Sequence, residues 1–226
     1  LGDIIDRDQK DLDSVVICLK HLNKKIFHTT GNHDYKGITD NKVLYKKLKM
    51  PSEYYSFMKK NWVFVFLNTN EIAAYSNVVG TAKEQELLRI QNQIKVNKEI
   101  QGARWNGGVS SRQLQWLDNL LKKSEKKNRN VLIFCHHPLY PRSQFTALNN
   151  MEILDVINRY NCVKAIFSGH HHSGAFGYFD HIPCNTVEGM IETPDKNSFG
   201  IVRIYKDRIE LEGKERMTSR LFMLQP

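Results

Sequence analysis

Between residues 11 and 22 the apolar positions Leu12, Val15, Val16, Leu19 and Leu22 recur at the spacing of a helix with one buried face. Lys25-Ile26-Phe27-His28 then reads as a short strand leading into Gly31. Leu1-Gly2 reads as a strand end, so strand, loop, helix, strand and loop follow in order. That order predicts a parallel βαβ unit with both loops at the carboxyl edge of a sheet, where α/β folds bind ligands. Residues 54–58 and 62–67 flank Lys59-Lys60-Asn61 and predict a hairpin. Residues 70–108 are polar and poor in strand pattern, with a helix over residues 82–98, and read as an inserted lid or cap. Ser110 and Gln113 have the spacing of a capping box ahead of the stripe Leu114, Leu117, Leu120 and Leu121. The run Val131-Leu132-Ile133-Phe134-Cys135 predicts a buried strand ending at His136, and residues 163–167 predict another ending at Gly169. A helix is expected near residues 151–160. The tail alternates strands, with Lys206-Asp207 turning between residues 201–205 and 208–211.

At 226 residues and 41% apolar, the chain can bury a sizeable core, and no linker, repeat or low-complexity tract divides it. A single α/β domain over residues 1–226, with the cap-like insertion at 70–108, is the expectation. The net charge of +9 comes from dispersed lysines with local runs such as Lys46-Lys47-Leu48-Lys49. Such runs read as solvated helix faces rather than a phosphate-tracking patch, which argues against nucleic acid and leaves a field that favours an anionic substrate. The cysteines Cys18, Cys135, Cys162 and Cys184 form no Cys-x-x-Cys pair. With Cys18 and Cys135 in apolar segments, buried free thiols in a reducing compartment are expected, which favours the cytoplasm. No apolar stretch is long enough to span a bilayer. Because the chain opens directly on a motif, upstream residues are expected to be missing, and a signal peptide there stays open. The composition does not speak to oligomeric state.

Four short stretches carry the candidate chemistry: Gly2-Asp3-Ile4-Ile5-Asp6-Arg7, Gly31-Asn32-His33-Asp34, His136-His137-Pro138 and Gly169-His170-His171-His172. Each sets carboxylate, amide or imidazole donors beside glycine or after an apolar run. That donor mixture suits Mn²⁺, Fe or Zn²⁺ without thiolate. Asp3 follows Gly2 where the backbone must turn; Asp6 and Asp8 are better placed to cap the next helix, which leaves Asp3 as a ligand candidate. The Asn32 amide oxygen can bind a metal and His33 can serve as an acid. His170 and His172, two apart, would share one side of an extended segment with His171 turned away. Of His136 and His137, strand alternation lets only one face the centre.

This ordered set resembles the calcineurin-like metallophosphoesterases, whose pattern is Asp-x-His, Gly-Asp-x-x-Asp, Gly-Asn-His-Asp/Glu, a strand-end His, and Gly-His-x-His. The resemblance implies a four-layer α-β-β-α sandwich holding two divalent metal ions. It makes Asp3 the bridging ligand, with Asn32, His136 and His170 completing one site and His172 joining the other. It makes His33 the acid that protonates the leaving oxygen and Asp6 the residue orienting its ring, and it matches Arg7 to a phosphate-contacting arginine. The Asp-x-His block, and the N-terminal strand that would carry it, are absent from the sequence. Within the superfamily the second half looks like the Mn²⁺-dependent ADP-ribose/CDP-alcohol diphosphatases. The similar stretches are Trp105-Asn106-Gly107-Gly108, His136-His137-Pro138-Leu139-Tyr140-Pro141, Gly169-His170-His171-His172-Ser173-Gly174 and Glu188-Gly189-Met190-Ile191-Glu192-Thr193.

The resulting expectation is a dinuclear, Mn²⁺-favouring hydrolase acting on a small nucleotide-like phosphoanhydride or phosphodiester. Two ions supply a nucleophile at neutral pH and neutralise phosphoryl charge, and an acid such as His33 contributes roughly 10²–10⁴-fold. The insertion would contact substrate beyond the scissile phosphate through Asn106, Tyr75 or Trp105, the alternative being that these aromatics pack it onto the core. Two other readings stay open: a cyclic-nucleotide phosphodiesterase or general phosphatase, and a scaffold that kept the fold and lost the chemistry.

Overall fold

Strand alternation decides the layering of the chain. The computed structural model describes residues 1–6 and 8–224. Among these, β1 (Tyr55–Lys59) and β2 (Trp62–Phe66) form an antiparallel hairpin, and β2 runs parallel to β3 (Asn130–Phe134). β3 pairs in parallel with β4 (Val163–Ser168), and β4 with β6 (Ile182–Thr186), which closes antiparallel against β5 (Ala175–Phe179). The order in this sheet is β1-β2-β3-β4-β6-β5. A second sheet is the meander β7 (Ser198–Ile204), β8 (Arg208–Glu215) and β9 (Arg220–Met223).

Val131, Ile133 and Ile166 point to one face of the larger sheet, where Leu117 and Leu121 of α4 (Ser111–Lys126) and Ile153, Leu154 and Ile157 of α5 (Asn150–Ile157) cover them. Leu132, Ala165 and Phe167 point to the other face and meet Ile209, Leu211 and Phe222 of the small sheet. This is the mixed α/β sandwich expected. Of its layers, one helical cover and both sheets are built by described residues; the outer side of the small sheet leaves Phe199, Ile201, Leu221 and Met223 exposed. α1 (Gln9–Lys20), capped by the Asp8 carboxylate on the Lys10 N–H, and α2 (Asn41–Lys47) bury Leu12, Leu44 and Leu48 with Ile5 and Tyr35 in a separate cluster under the N-terminal motifs. Within 70–108, α3 (Ala82–Val96) buries Leu87, Ile90 and Ile94 against Ile72, Val78 and Leu148.

Several expectations are corrected. Residues 25–28 form no strand: Phe27 stacks on the rings of Phe57 at 3.9 Å and Phe66 at 5.9 Å, and the His28 carbonyl accepts from the Tyr55 hydroxyl at 2.7 Å. Side chains, not a backbone ladder, hold that segment to the sheet. Cys18 is exposed, because it falls on the outer face of α1, while Cys135, Cys162 and Cys184 are buried free thiols. Only half of the capping box forms. Ser110 Oγ accepts from the Gln113 N–H at 3.1 Å, but the Gln113 amide donates instead to Asn68 O at 3.1 Å and to Glu71 at 2.6 Å. The β5–β6 hairpin was not anticipated, since Pro183 and Gly177 interrupt its alternation.

Candidate metal centre

Adjacent parallel strands deliver two of the motif histidines. β3 and β4 stay paired past their ends: the Cys135 N–H donates to Phe167 O at 3.1 Å, and the Gly169 N–H to His136 O at 2.9 Å. His136 and His170 therefore leave the sheet side by side. His170 takes φ +64°, a left-handed conformation uncommon outside glycine, so the segment to His172 is a turn rather than extended. That corrects the expected period-two display, and His171 lies on the same cavity, its ring stacked on Phe145 at 4.4 Å.

The N-terminal motifs are fitted to each other just as closely. Asp3 also has positive φ, +50°. A Cβ on Gly2 would sit 2.5 Å from His136 Nδ1, and one on Gly31 would sit 2.1 Å from Asp3 Oδ1, so both glycines are required by contact. The fully buried Asp34 carboxylate accepts the N–H groups of Ile4 at 2.8 Å, Ile5 at 3.2 Å and Gly31 at 2.8 Å, binding the two loops together. The His33 N–H donates to Asp3 Oδ1 at 2.9 Å.

Three donor atoms gather around His136 Nε2. His136 Nε2 lies 3.0 Å from Asn32 Oδ1, 3.0 Å from His170 Nδ1 and 3.3 Å from Asp3 Oδ2. Hydrogen bonding on the far side of each ring sets what these atoms present. His136 Nδ1 is 2.8 Å from the Leu1 carbonyl, an acceptor, so Nδ1 carries a proton. His170 Nε2 is 3.0 Å from Asn106 Oδ1 and carries the proton there. With both rings neutral, four lone pairs converge with no hydrogen among them, an arrangement that calls for a cation. Separations near 3.0–3.3 Å also suit neighbouring donors about 2.0–2.2 Å from an ion. The donors present fit a divalent metal.

Without a metal, a proton on His136 is one source of positive charge at this point. Burial disfavours charge on His136, yet the Asp3 carboxylate outweighs it and raises this imidazole above its ordinary value. Burial likewise opposes ionisation of Asp3, but His136 and the His33 N–H hold its carboxyl well below the usual range. A single Nε2–H cannot serve three acceptors at once. Burial, then the neighbours His137 and His136, push His170 far down, keeping it neutral.

Ring nitrogens of His136, His137 and His170 lie within 4.8 Å of one another, but His137 faces away from the convergence. Its own N–H donates to Thr69 Oγ1 at 3.0 Å, and its Nδ1 lies 3.0 Å from the same oxygen. Its Nε2 accepts the Gly107 N–H at 3.3 Å and lies 3.2 Å from the Trp105 carbonyl, so both ring nitrogens have partners outside the four donors.

Beside the four donors opens a cavity of about 640 Å³ lined by Asp3, Asn32, His33, Trp105, Phe145, His170, His171, His172, Ser173 and Glu192. His33 Nδ1 is held by Asp6, at 2.9 Å from its carbonyl and 3.1 Å from its carboxylate. His172 Nδ1 is 2.6 Å from Glu192 Oε1. Trp105, 47% exposed, forms part of the wall. Two other candidates stand off the cavity. Asn106 is 1% exposed with both ends of its amide bonded, and Tyr75 packs against Tyr35 with its hydroxyl on Asn70 at 2.7 Å. Arg7 lies outside the described residues.

The model of the calcineurin-like phosphoesterase family matches residues 1–174. The chain belongs to the calcineurin-like phosphoesterase family. A Bos taurus protein named manganese-dependent ADP-ribose/CDP-alcohol diphosphatase is 31% identical to this phosphoesterase, over 98% of this chain and 77% of its own length. A Homo sapiens protein of the same name is 30% identical over 98% and 76%. A third, from Oryza sativa subsp. japonica, is 30% identical over 100% and 78%. The crystal structure of a dimetal phosphatase from Danio rerio superposes with a TM-score of 0.88 at 26% identity, covering 100% of this chain and 82% of that one. The phosphoesterase is a metal-dependent hydrolase with the metallophosphoesterase fold, which sets aside the scaffold reading.

Sequence reasoning on the phosphoesterase passed over Phe145, Thr69 and Glu71. Phe145 lies in an irregular loop without a motif. Glu71, 2% exposed, accepts from Ser110 N–H at 2.9 Å, Ser110 Oγ at 2.8 Å and Gln113 Nε2 at 2.6 Å, and pairs with Lys83 at 3.0 Å. Half a helix-capping signal at Ser110 and Gln113 pointed toward it without naming the partner.

Proposed function

We propose that this phosphoesterase hydrolyses the phosphoanhydride of nucleoside-diphosphate-X compounds, ADP-ribose and CDP-alcohols being the substrates in its relatives' names. The observation that carries the reading is the convergence of lone pairs from Asp3, Asn32, His136 and His170 beside an acid, His33, on one cavity. Those residues would hold one divalent ion. Asp3 and His172 would contribute to a second, Mn²⁺ being preferred and Fe or Zn²⁺ the other options for this donor set. Bound ions supply charge neutralisation on phosphoryl oxygens and a competent nucleophile at neutral pH.

The chain's own residues do the rest. Asp6 fixes the His33 ring through Nδ1, which aims Nε2 at the substrate side, where it donates a proton to the leaving phosphate oxygen. The phosphate-contacting role of Arg7 rests on its motif. Beyond the phosphates, the wall made by Trp105, Phe145 and His171 is aromatic and wide enough for a nucleotide-sized group, and the chain's positive charge favours an anion. The segment 70–108 is a cap-like insertion that brings Trp105 to the cavity.

The test is a Mn²⁺-supplemented screen of ADP-ribose, CDP-choline, a cyclic nucleotide and an aryl phosphate, with products resolved by chromatography. The reading expects the highest kcat/KM on the two diphosphate compounds, with AMP or CMP released. Preference for the cyclic nucleotide or the monoester would overturn it.

A further inference from the structure

Asn106 sits in the inserted segment, yet it touches the metal centre rather than the cavity. Its Nδ2 donates to Gln101 O at 2.8 Å and to Gln144 O at 2.7 Å. Both amide hydrogens are therefore used, and the orientation of the group is fixed: Oδ1 must face His170 Nε2, 3.0 Å away. The loop bearing Asn106 is itself anchored. The Gly107 N–H donates to His137 Nε2 at 3.3 Å, the Leu148 N–H donates to Gly107 O at 2.8 Å, and Ile72 bridges Gly108. Asn106 is 1% exposed, so no water competes for Oδ1.

We propose that Asn106 is a positioning residue for the metal centre: it fixes His170 as the Nε2–H tautomer, delivering Nδ1 as a lone pair to the point where Asp3, Asn32 and His136 converge. A neutral imidazole has one hydrogen, and the nitrogen that keeps it cannot bind a metal. If His170 carried its hydrogen on Nδ1, that hydrogen would point at His136 Nε2, 3.0 Å away, and block the site. An outer-shell acceptor of this kind typically governs metal affinity by about 10–100-fold. The inserted segment is then part of the metal site. This inference rests on the metal-centre reading above and adds to it a residue outside the ligand set.

Two measurements test it. In the metal-free wild-type chain, long-range ¹H–¹⁵N correlation should show His170 protonated at Nε2; protonation at Nδ1 would overturn the assignment whatever any variant does. In calorimetric Mn²⁺ titrations, Asn106→Leu should bind about 10–100-fold more weakly than wild type. Asn106→Asp, which keeps an oxygen at Nε2, should recover most of that loss. A purely structural role predicts the reverse ranking, because Asp loses the same Nδ2 donors and sets a carboxylate against two carbonyls. Equal Mn²⁺ affinity in wild type and Asn106→Leu would also refute the role of Asn106. Failure of wild type to bind Mn²⁺ at all would instead bring down the metal-centre reading, and the inference with it.

Discussion

Replacing His33 and Asp6 singly and together separates chemistry from scaffolding. His33 lines the cavity without belonging to the four converging donors, so His33→Ala should leave metal binding intact and remove proton donation. General acid catalysis contributes roughly 10²–10⁴-fold, or about 3–5 kcal/mol of barrier at ~1.4 kcal/mol per tenfold. Asp6 contributes less. Its backbone carbonyl holds His33 Nδ1 at 2.9 Å whatever side chain is present, so Asp6→Ala keeps that hold on the ring and takes away the carboxylate contact at 3.1 Å. Both side chains are about half exposed, at 43% and 54%, and such a pair is worth about 0.5–1 kcal/mol after screening, or roughly 2–5-fold in rate. The double variant should lose no more than His33→Ala alone, because Asp6 acts through the ring that is gone. Steady-state kcat/KM on an alkyl phosphodiester and on its 4-nitrophenyl analogue, with metal content by elemental analysis, reads all of this. The 4-nitrophenyl ester, whose leaving group needs little protonation, should suffer less. The reasoning fails if Asp6→Ala costs as much as His33→Ala, if its cost persists without His33, or if both substrates lose equally.

Glu71→Ala frees the buried Ser110 and Gln113 donors while Lys83 keeps its pairing with Glu53, so urea unfolding should show a loss of about 1–3 kcal/mol; a loss under about 0.5 kcal/mol, the scatter of an ordinary surface change, would mean the network is incidental. Mn²⁺ at about 100-fold over its dissociation constant should stabilise wild type by ~2.7 kcal/mol, and His136→Ala should erase most of that gain; calorimetric scans showing equal Mn²⁺ shifts would place the ion elsewhere. Trp105→Ala should raise KM for ADP-ribose far more than for an aryl phosphate, since Trp105 walls the cavity beyond the donors; equal changes would make it a packing residue.

The convergence of Asp3, Asn32, His136 and His170 was legible because these residues follow apolar runs or sit beside glycines. The run 131–135 announced a strand, and continued β3–β4 pairing brings His136 and His170 together. Gly2 and Gly31 mark places where a Cβ would strike the centre. What stayed hidden was held by side chains across long sequence gaps. Residues 25–28 look like a strand by composition, but Phe27 lies flat on Phe57 and Phe66 instead of joining a ladder. Asn106 read as a substrate contact because it lies in a long polar insertion, whereas its amide is turned inward by two carbonyls more than thirty positions apart in the chain. The turn at His170 depends on a positive φ that no spacing rule on His-x-His reveals.

The most direct test of the metal centre is an anomalous difference map from crystals grown with Mn²⁺. The account predicts a peak about 2.0–2.2 Å from each of Asp3 Oδ2, Asn32 Oδ1, His136 Nε2 and His170 Nδ1. A Mn²⁺ peak ligated by His137 in place of His136, or no peak among these four atoms in crystals of active enzyme, would contradict it.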